Sequence, residues 1–81
     1  MPKIPILPPR IIIKALKQIG FRKVRQKGTH IVLQKAEKSK TLTVVIPNHK
    51  EITKGTLKSI LRQANIDLKH FLKILSILLI E

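Results

Sequence analysis

The sequence predicts an α+β domain with the order helix, three antiparallel strands, helix, followed by an additional carboxyl-terminal helix. Apolar residues recur at helical spacing near both ends of the chain, whereas three short stretches between them alternate in polarity and are separated by turn residues. A length of 81 residues is enough for one small core, so we expect a single domain over residues 1–81. We expect the helices to cover one face of the three-stranded sheet.

The first helix is predicted over residues 10–19. Four of the first nine residues are proline, which indicates an extended lead-in over residues 1–9 and argues against a signal peptide or a membrane-spanning helix there. After the lead-in, apolar and basic side chains separate onto opposite sides of a helix, and Gly20 ends it. The apolar side consists of Ile12, Ala15, Leu16 and Ile19, and the basic side of Arg10, Lys14 and Lys17.

Three strands are predicted after Gly20. The first, residues 21–26, is strongly basic and alternates imperfectly, and Lys27-Gly28 forms the turn that follows. The second, residues 29–35, has Ile31 and Leu33 on its buried face and His30, Val32 and Gln34 on the opposite face. A charged loop over residues 36–40 leads to the third strand, residues 41–46, whose Leu42, Val44 and Ile46 point to the core. His30 is therefore expected to be available to a ligand.

Two helices complete the chain. Thr53 is a plausible cap for a helix with the apolar stripe Leu57, Ile60, Leu61 and Ala64 and the basic stripe Lys54, Lys58 and Arg62. Gly55, in the first turn, is interpreted as a residue that allows close backbone approach. Asn65 ends this helix in the left-handed conformation, and Asp67 caps an extra helix over residues 67–81. That last helix has a wide apolar surface, formed by Leu68, Phe71, Leu72, Leu75, Leu78 and Leu79, which suggests a homodimer through this helix.

Composition narrows the function classes. Seventeen Lys and Arg residues against four acidic ones give a net charge of +13, so nucleic acid is the natural first partner; a solvated face, a membrane-surface patch or an acidic protein remain alternatives. Without cysteine there is no disulfide or thiolate zinc site, and the three histidines and four acids lack the spacing of metal ligands. We therefore expect no metal or other cofactor, and the absence of cysteine weakly favours a cytoplasmic protein.

Gly28-Thr29-His30 is the best candidate for chemistry. Histidine has an unperturbed pKa of about 6.5, so it can both take and give a proton near neutral pH, and nearby cations attract a polyanion. A histidine at a strand end is more often a hydrogen-bonded bystander, however, and spacing alone does not make His30 catalytic. His49 is either a second proton carrier or a loop residue, and His70 is expected on a helix surface.

The order of elements is that of the double-stranded RNA-binding domain, and four motifs together resemble the HicA toxin family. They are residues 16–21 (LKQIGF), 24–30 (VRQKGTH), 45–49 (VIPNH) and 55–64 (GTLKSILRQA), and the resemblance covers about residues 10–75. Threonine stands at position 29, where serine is commoner in the family. Ser76 to Glu81 extend beyond the usual family end, so no family role is carried onto them.

The resemblance implies a toxin of a type II toxin-antitoxin system that cleaves mRNA, inhibits translation and is neutralised by a HicB-type antitoxin. It places the catalytic role on His30, with Gly28 as the turn that delivers the imidazole and Thr29 as its neighbour. The candidates for RNA binding are Arg25, Lys27, Gly28, Thr29, Lys54 and Lys58.

Two alternatives stay open. A noncatalytic double-stranded RNA-binding module would use the basic stripe of the second helix to contact phosphates, and His30 would be incidental. A peripheral membrane or protein-docking domain would use the apolar last helix with Lys69 and Lys73. A platform that stacks bases is disfavoured, because the chain has no Trp or Tyr and both phenylalanines are expected to be buried.

Overall fold

The computed structural model describes residues 4 and 6–80, with side chains up to residue 78. Its elements are α1 (Pro9–Gln18), β1 (Arg22–Lys27), β2 (His30–Ala36), β3 (Thr41–Pro47), α2 (Lys54–Ala64) and α3 (Leu68–Ile80). The α+β class and the predicted order of helix, three antiparallel strands and two helices are confirmed. Helix α1 begins at Pro9 rather than Arg10, because proline is tolerated at the first helical position, where its missing N–H leaves no hydrogen bond unmade.

The predicted helix ends are largely confirmed. Asn65 closes α2 with a φ of 58°, and the Asp67 carboxylate accepts a hydrogen bond from the His70 N–H over 2.7 Å at the start of α3. Thr53 occupies the cap position of α2, but its hydroxyl donates to the Thr56 hydroxyl at 3.1 Å instead of accepting from the backbone. The first turn of α2 therefore lacks a side-chain cap.

The sheet has the strand order β1-β2-β3, and both pairs are antiparallel. Between β2 and β3 the register is regular, from His30 opposite Pro47 to Ala36 opposite Thr41. The pairing of β1 with β2 is interrupted by a bulge between Lys23 and Arg25, so Val24 has no partner on β2. The bulge explains the imperfect alternation of the basic strand.

One side of the sheet carries the core. Helix α2 packs on β3, and α3 packs against both α1 and α2. The predicted core residues Ile12, Leu16, Leu33, Val44, Ile46, Leu57 and Phe71 are fully buried, and Phe21 is also buried. Leu79, predicted for the apolar surface of α3, lies outside the residues with described side chains.

The lead-in is tied to the segment before α2. Ile52, which is buried, donates its backbone N–H to the Leu7 carbonyl at 2.7 Å. The loop between β3 and α2 is thereby held against Leu7.

Candidate functional site

His30 follows a tight turn whose geometry depends on Gly28. Lys27 pairs with His30 across a two-residue loop, in which Gly28 has a φ of +57° and Thr29 does not have a positive φ. A positive φ at the first central position alone is the pattern of a type II′ turn, which matches the twist of a hairpin. The Thr29 carbonyl accepts a hydrogen bond from the Asn48 N–H at 2.6 Å, so the end of β3 braces this turn. His30 is held at the first residue of β2.

The side of the sheet away from the helices forms the open face. Regular pairing places His30, Val32 and Gln34 of β2 on it, and the residues opposite them complete three rows across the sheet. The rows are Lys27, His30 and Pro47; then Arg25, Val32 and Val45; then Arg22, Gln34 and Thr43. Basic residues thus lie along the β1 side of the open face and apolar ones lie beside His30.

A hollow of about 460 Å³ opens on this face at His30, and we call it the His30 hollow. It is lined by Arg25, Lys27, His30, Val32 and Val45. Val32 is only 7% exposed although it lies on the open face, whereas Val45 keeps 38% of its surface exposed. The hollow has an aliphatic floor, two cations on one wall and an exposed imidazole, a combination suited to a phosphate-bearing ligand with an apolar part.

The free edge of β3, beside the floor, is held by α2. The Gln63 side-chain oxygen accepts a hydrogen bond from the Val45 N–H at 2.9 Å, and its amide nitrogen donates to the Ser59 hydroxyl at 3.3 Å. An edge strand presents unpaired backbone donors, and here a side chain satisfies one of them. The position of Val45 is therefore fixed from the helix side.

The residues predicted for the site fall into two groups. Arg25 and Lys27 line the hollow with His30, and Gly28 and Thr29 form the turn that carries it. Lys54 and Lys58 are exposed on α2 and do not line the hollow. Successive residues of an α-helix are rotated by about 100°, which places Lys54, Lys58 and Arg62 on one flank of the buried stripe of α2. Gln63, which contacts β3, lies on the other flank. Lys54, Lys58 and Arg62 form a separate basic surface.

The other histidines do not line the His30 hollow. His49 is exposed just after Asn48, whose N–H braces the turn, and His70 is exposed on α3. The interpretation of Gly55 is wrong: a Cβ at that position would meet no atom of the described part of the chain within 4 Å, so close approach does not explain the glycine.

Three residues that the sequence analysis did not assign to the site lie on the open face with His30: Arg22, Val32 and Val45. Alternation of β2 and β3 already assigned both valines to the face of His30, and that signal was sufficient to find them. Arg22 could not be assigned to this face, because a strand that alternates regularly would place it opposite Arg25. The bulge at Val24 brings both to the same side.

Over residues 4 and 6–80 no group of three or more His, Asp or Glu residues is arranged to hold a metal ion. In that same part of the chain no helix has the length and apolar character needed to cross a membrane.

Most of the chain matches one known protein family. The family described as HicA toxin of bacterial toxin-antitoxin matches residues 9–66, which is most of the sequence. The match ends at Ile66, before α3 and earlier than residue 75, where the motif resemblance ended. No curated protein matches the chain. The match includes α1, the whole sheet, the His30 hollow and α2, and the chain belongs to the HicA toxin family of bacterial toxin-antitoxin systems.

Proposed function

We propose that this protein is a metal-independent endoribonuclease that cleaves mRNA, with His30 as its single catalytic histidine, and thereby inhibits translation. The observation that carries the proposal is the exposed His30 imidazole in a hollow whose wall holds Arg25 and Lys27. A proton acceptor next to fixed cations is what cleavage of a ribose-phosphate backbone requires.

The proposed reaction is an internal transesterification. Neutral His30 takes the proton of a ribose 2′-hydroxyl, and the 2′ oxygen forms a bond to the adjacent phosphorus. The bond from phosphorus to the 5′ oxygen of the next nucleotide breaks, and that oxygen receives the proton held by the imidazolium, either directly or relayed through a water molecule. The products are a 2′,3′-cyclic phosphate and a 5′-hydroxyl, and no metal ion or water molecule is consumed.

Arg25 and Lys27 are assigned to the charge that develops on the phosphorane. General base catalysis contributes about 10²- to 10⁴-fold, and loss of one donor to a developing oxyanion costs about 10²- to 10³-fold. A lone histidine would therefore be a slow catalyst, and the two cations on the wall of the hollow supply the second contribution.

The test is cleavage of an mRNA in excess EDTA by the parent protein and by His30→Ala. His70→Ala is the matched control, because it removes an exposed histidine that lies on α3 and does not line the hollow. We expect cutting by the parent and by His70→Ala only, with cyclic phosphate ends, and no cutting of a strand whose ribose at the cleavage site is 2′-deoxy. Equal cutting by His30→Ala, or cutting of the 2′-deoxy strand, would refute the mechanism.

Membership in a toxin-antitoxin family implies an antitoxin partner. We propose a HicB-type antitoxin with an acidic surface that covers the His30 hollow, since opposite charge would speed association and occlusion would block the imidazole. Competition between antitoxin and a labelled RNA strand for the His30→Ala protein tests this, and simultaneous binding of both would contradict it.

Self-association through α3 stays a prediction. Ile77 is 56% exposed and borders a hollow of about 230 Å³ with Ile19, Ile74 and Leu78. Sedimentation of the parent protein and of Ile77→Asp measures their oligomeric states. A parent dimer that dissociates on substitution supports the prediction, and a monomeric parent contradicts it.

A noncatalytic double-stranded RNA-binding module is the second candidate. The αβββα order and the exposed stripe of Lys54, Lys58 and Arg62 favour it. A shifted duplex band with no cleavage of any RNA would support this candidate over the ribonuclease.

A further inference from the structure

The bulge in β1 changes which basic residues share a face. In a regular strand, side chains two residues apart point the same way, so Arg22 would lie opposite Arg25 and Lys27. Because Val24 is the extra residue of the bulge, Arg22 instead pairs with Gln34, Arg25 with Val32 and Lys27 with His30. Bulges near functional sites commonly re-aim side chains in this way. All three cations are exposed on the open face.

The spacing of these cations is regular. Their partners on β2 are two residues apart, so consecutive rows are separated by about 7 Å and the three rows span about 13 Å. Each row holds one of the three cations, so the spacing between them is close to the distance between consecutive phosphates of an extended nucleic acid strand. Lys and Arg side chains are long and flexible, so they can adjust to the small difference between the row spacing and the phosphate spacing. The line of three cations along β1 begins at Arg22 and ends at Lys27, beside the His30 imidazole.

An apolar floor lies beside this line of cations. Val32 and Val45 lie side by side across β2 and β3, and Val45 is 38% exposed. The next row, farther from His30, is polar, and Gln34 donates to the Thr43 hydroxyl at 3.3 Å. Both phenylalanines are buried and the chain has no Trp or Tyr, so the open face offers no Phe, Tyr or Trp ring for stacking. Aliphatic contact suits a ribose and the edge of a base of any identity.

We propose that Arg22, Arg25 and Lys27 form a phosphate track for one extended RNA strand, and that Val45, which lies beside the nearly buried Val32, receives the ribose and base edge of the nucleotide beside His30. The inference rests on the proposed function and gives its substrate class: unpaired RNA, read with little base preference. In an extended strand the 2′ oxygen, the phosphorus and the departing 5′ oxygen can be brought into line. A duplex holds them out of line and keeps its bases paired.

The test measures binding in the His30→Ala protein, so that cleavage does not intervene. The track variant adds Arg22→Gln, Arg25→Gln and Lys27→Gln, and the control variant adds Arg10→Gln, Lys14→Gln and Lys17→Gln on the solvent side of α1. Both lose three positive charges. Each neutralised phosphate contributes about 0.7 to the slope of log affinity against log salt for a single strand. We therefore expect the slope to fall by about 2 in the track variant and to change little in the control.

Two further comparisons test the floor and the choice of RNA. Val45→Ala should weaken binding of a single strand several-fold, whereas Ile6→Ala, at a site that is 54% exposed and does not line the His30 hollow, should not. Duplex RNA of the same sequence should bind the track variant and the control variant equally well. Far-UV circular dichroism of each variant checks that the fold is intact.

Equal salt slopes for the two charge variants would overturn the track, because the cations would then act only through net charge. Equal weakening of single-strand and duplex binding in the track variant would overturn the assignment to unpaired RNA. Failure of the proposed function is distinguishable from both. A parent protein that cuts no RNA, together with a track-specific loss of slope, would reject the nuclease and support the binding surface.

Discussion

Replacing Gly28 by alanine should destabilise the protein through backbone strain alone. Gly28 has a φ of +57°, and a Cβ added there would meet no atom within 4 Å among residues 4 and 6–80. Steric cost from neighbours is therefore absent, and what remains is the penalty of about 1 to 2 kcal/mol for an L-residue at positive φ. The same strain acts on the turn that holds His30, so cleavage of RNA should fall together with stability.

Gly55→Ala is the matched control for this substitution. Position 55 also has open space around the added Cβ, but its φ is not positive and it lies in the first turn of α2. Alanine is favoured over glycine in a helix by about 0.5 to 1 kcal/mol, so this variant should be stabilised. The two substitutions add the same methyl group, and their free energies of unfolding should differ by about 1.5 to 3 kcal/mol.

Urea unfolding followed by far-UV circular dichroism measures the difference, because the chain has no Trp or Tyr to serve as a fluorescent probe. For a domain of this size 1 kcal/mol corresponds to about 4 to 8 °C in Tm, so the predicted gap is easily resolved. If Gly28→Ala is as stable as Gly55→Ala, the type II′ turn and the argument from it are wrong.

Two more substitutions test the packing around the site. Phe71→Ala should cost about 3 to 5 kcal/mol in urea unfolding because Phe71 is fully buried. Lys73→Ala, at an exposed position of the same helix, should stay within about 0.5 kcal/mol, and similar losses in both would contradict the core contact of α3. Gln63→Ala should speed hydrogen exchange at the Val45 amide and cost about 1 kcal/mol, and Gln63→Glu, which keeps an acceptor, should retain most of the protection. Unchanged exchange in Gln63→Ala would show that the edge of β3 does not depend on α2.

The predicted elements succeed where a local residue type determines the backbone. Asn65 tolerates the left-handed conformation and Asp67 offers an acceptor to a helix N–H, so both ends were predictable from the residues themselves. In β2 and β3 the alternation of apolar residues fixes which face is buried, because a slip of one residue would move every side chain to the other side. The face of His30 follows from that alternation.

The first strand could not be predicted in the same way. All six of its residues are exposed, so no apolar pattern marks its faces, and the bulge at Val24 shifts its register by one. A bulge depends on how two strands pair, which is a tertiary property that the residues of one strand do not encode. For this reason closeness to His30 in sequence predicts Arg25 and Lys27 for the site, whereas no local signal places Arg22 on the same face.

The family match and the folding unit do not end at the same residue. The match stops at Ile66, yet Phe71 and Leu75 of α3 belong to the same buried cluster as Leu16 of α1 and Leu57 of α2. A domain of 81 residues has a total stability of about 4 to 12 kcal/mol, so loss of Phe71 alone would remove a large part of it. The open face is built within the matched residues and α3 lies on the other side of the sheet. Substitutions in α3 should therefore change the amount of folded protein without changing how a folded molecule handles RNA.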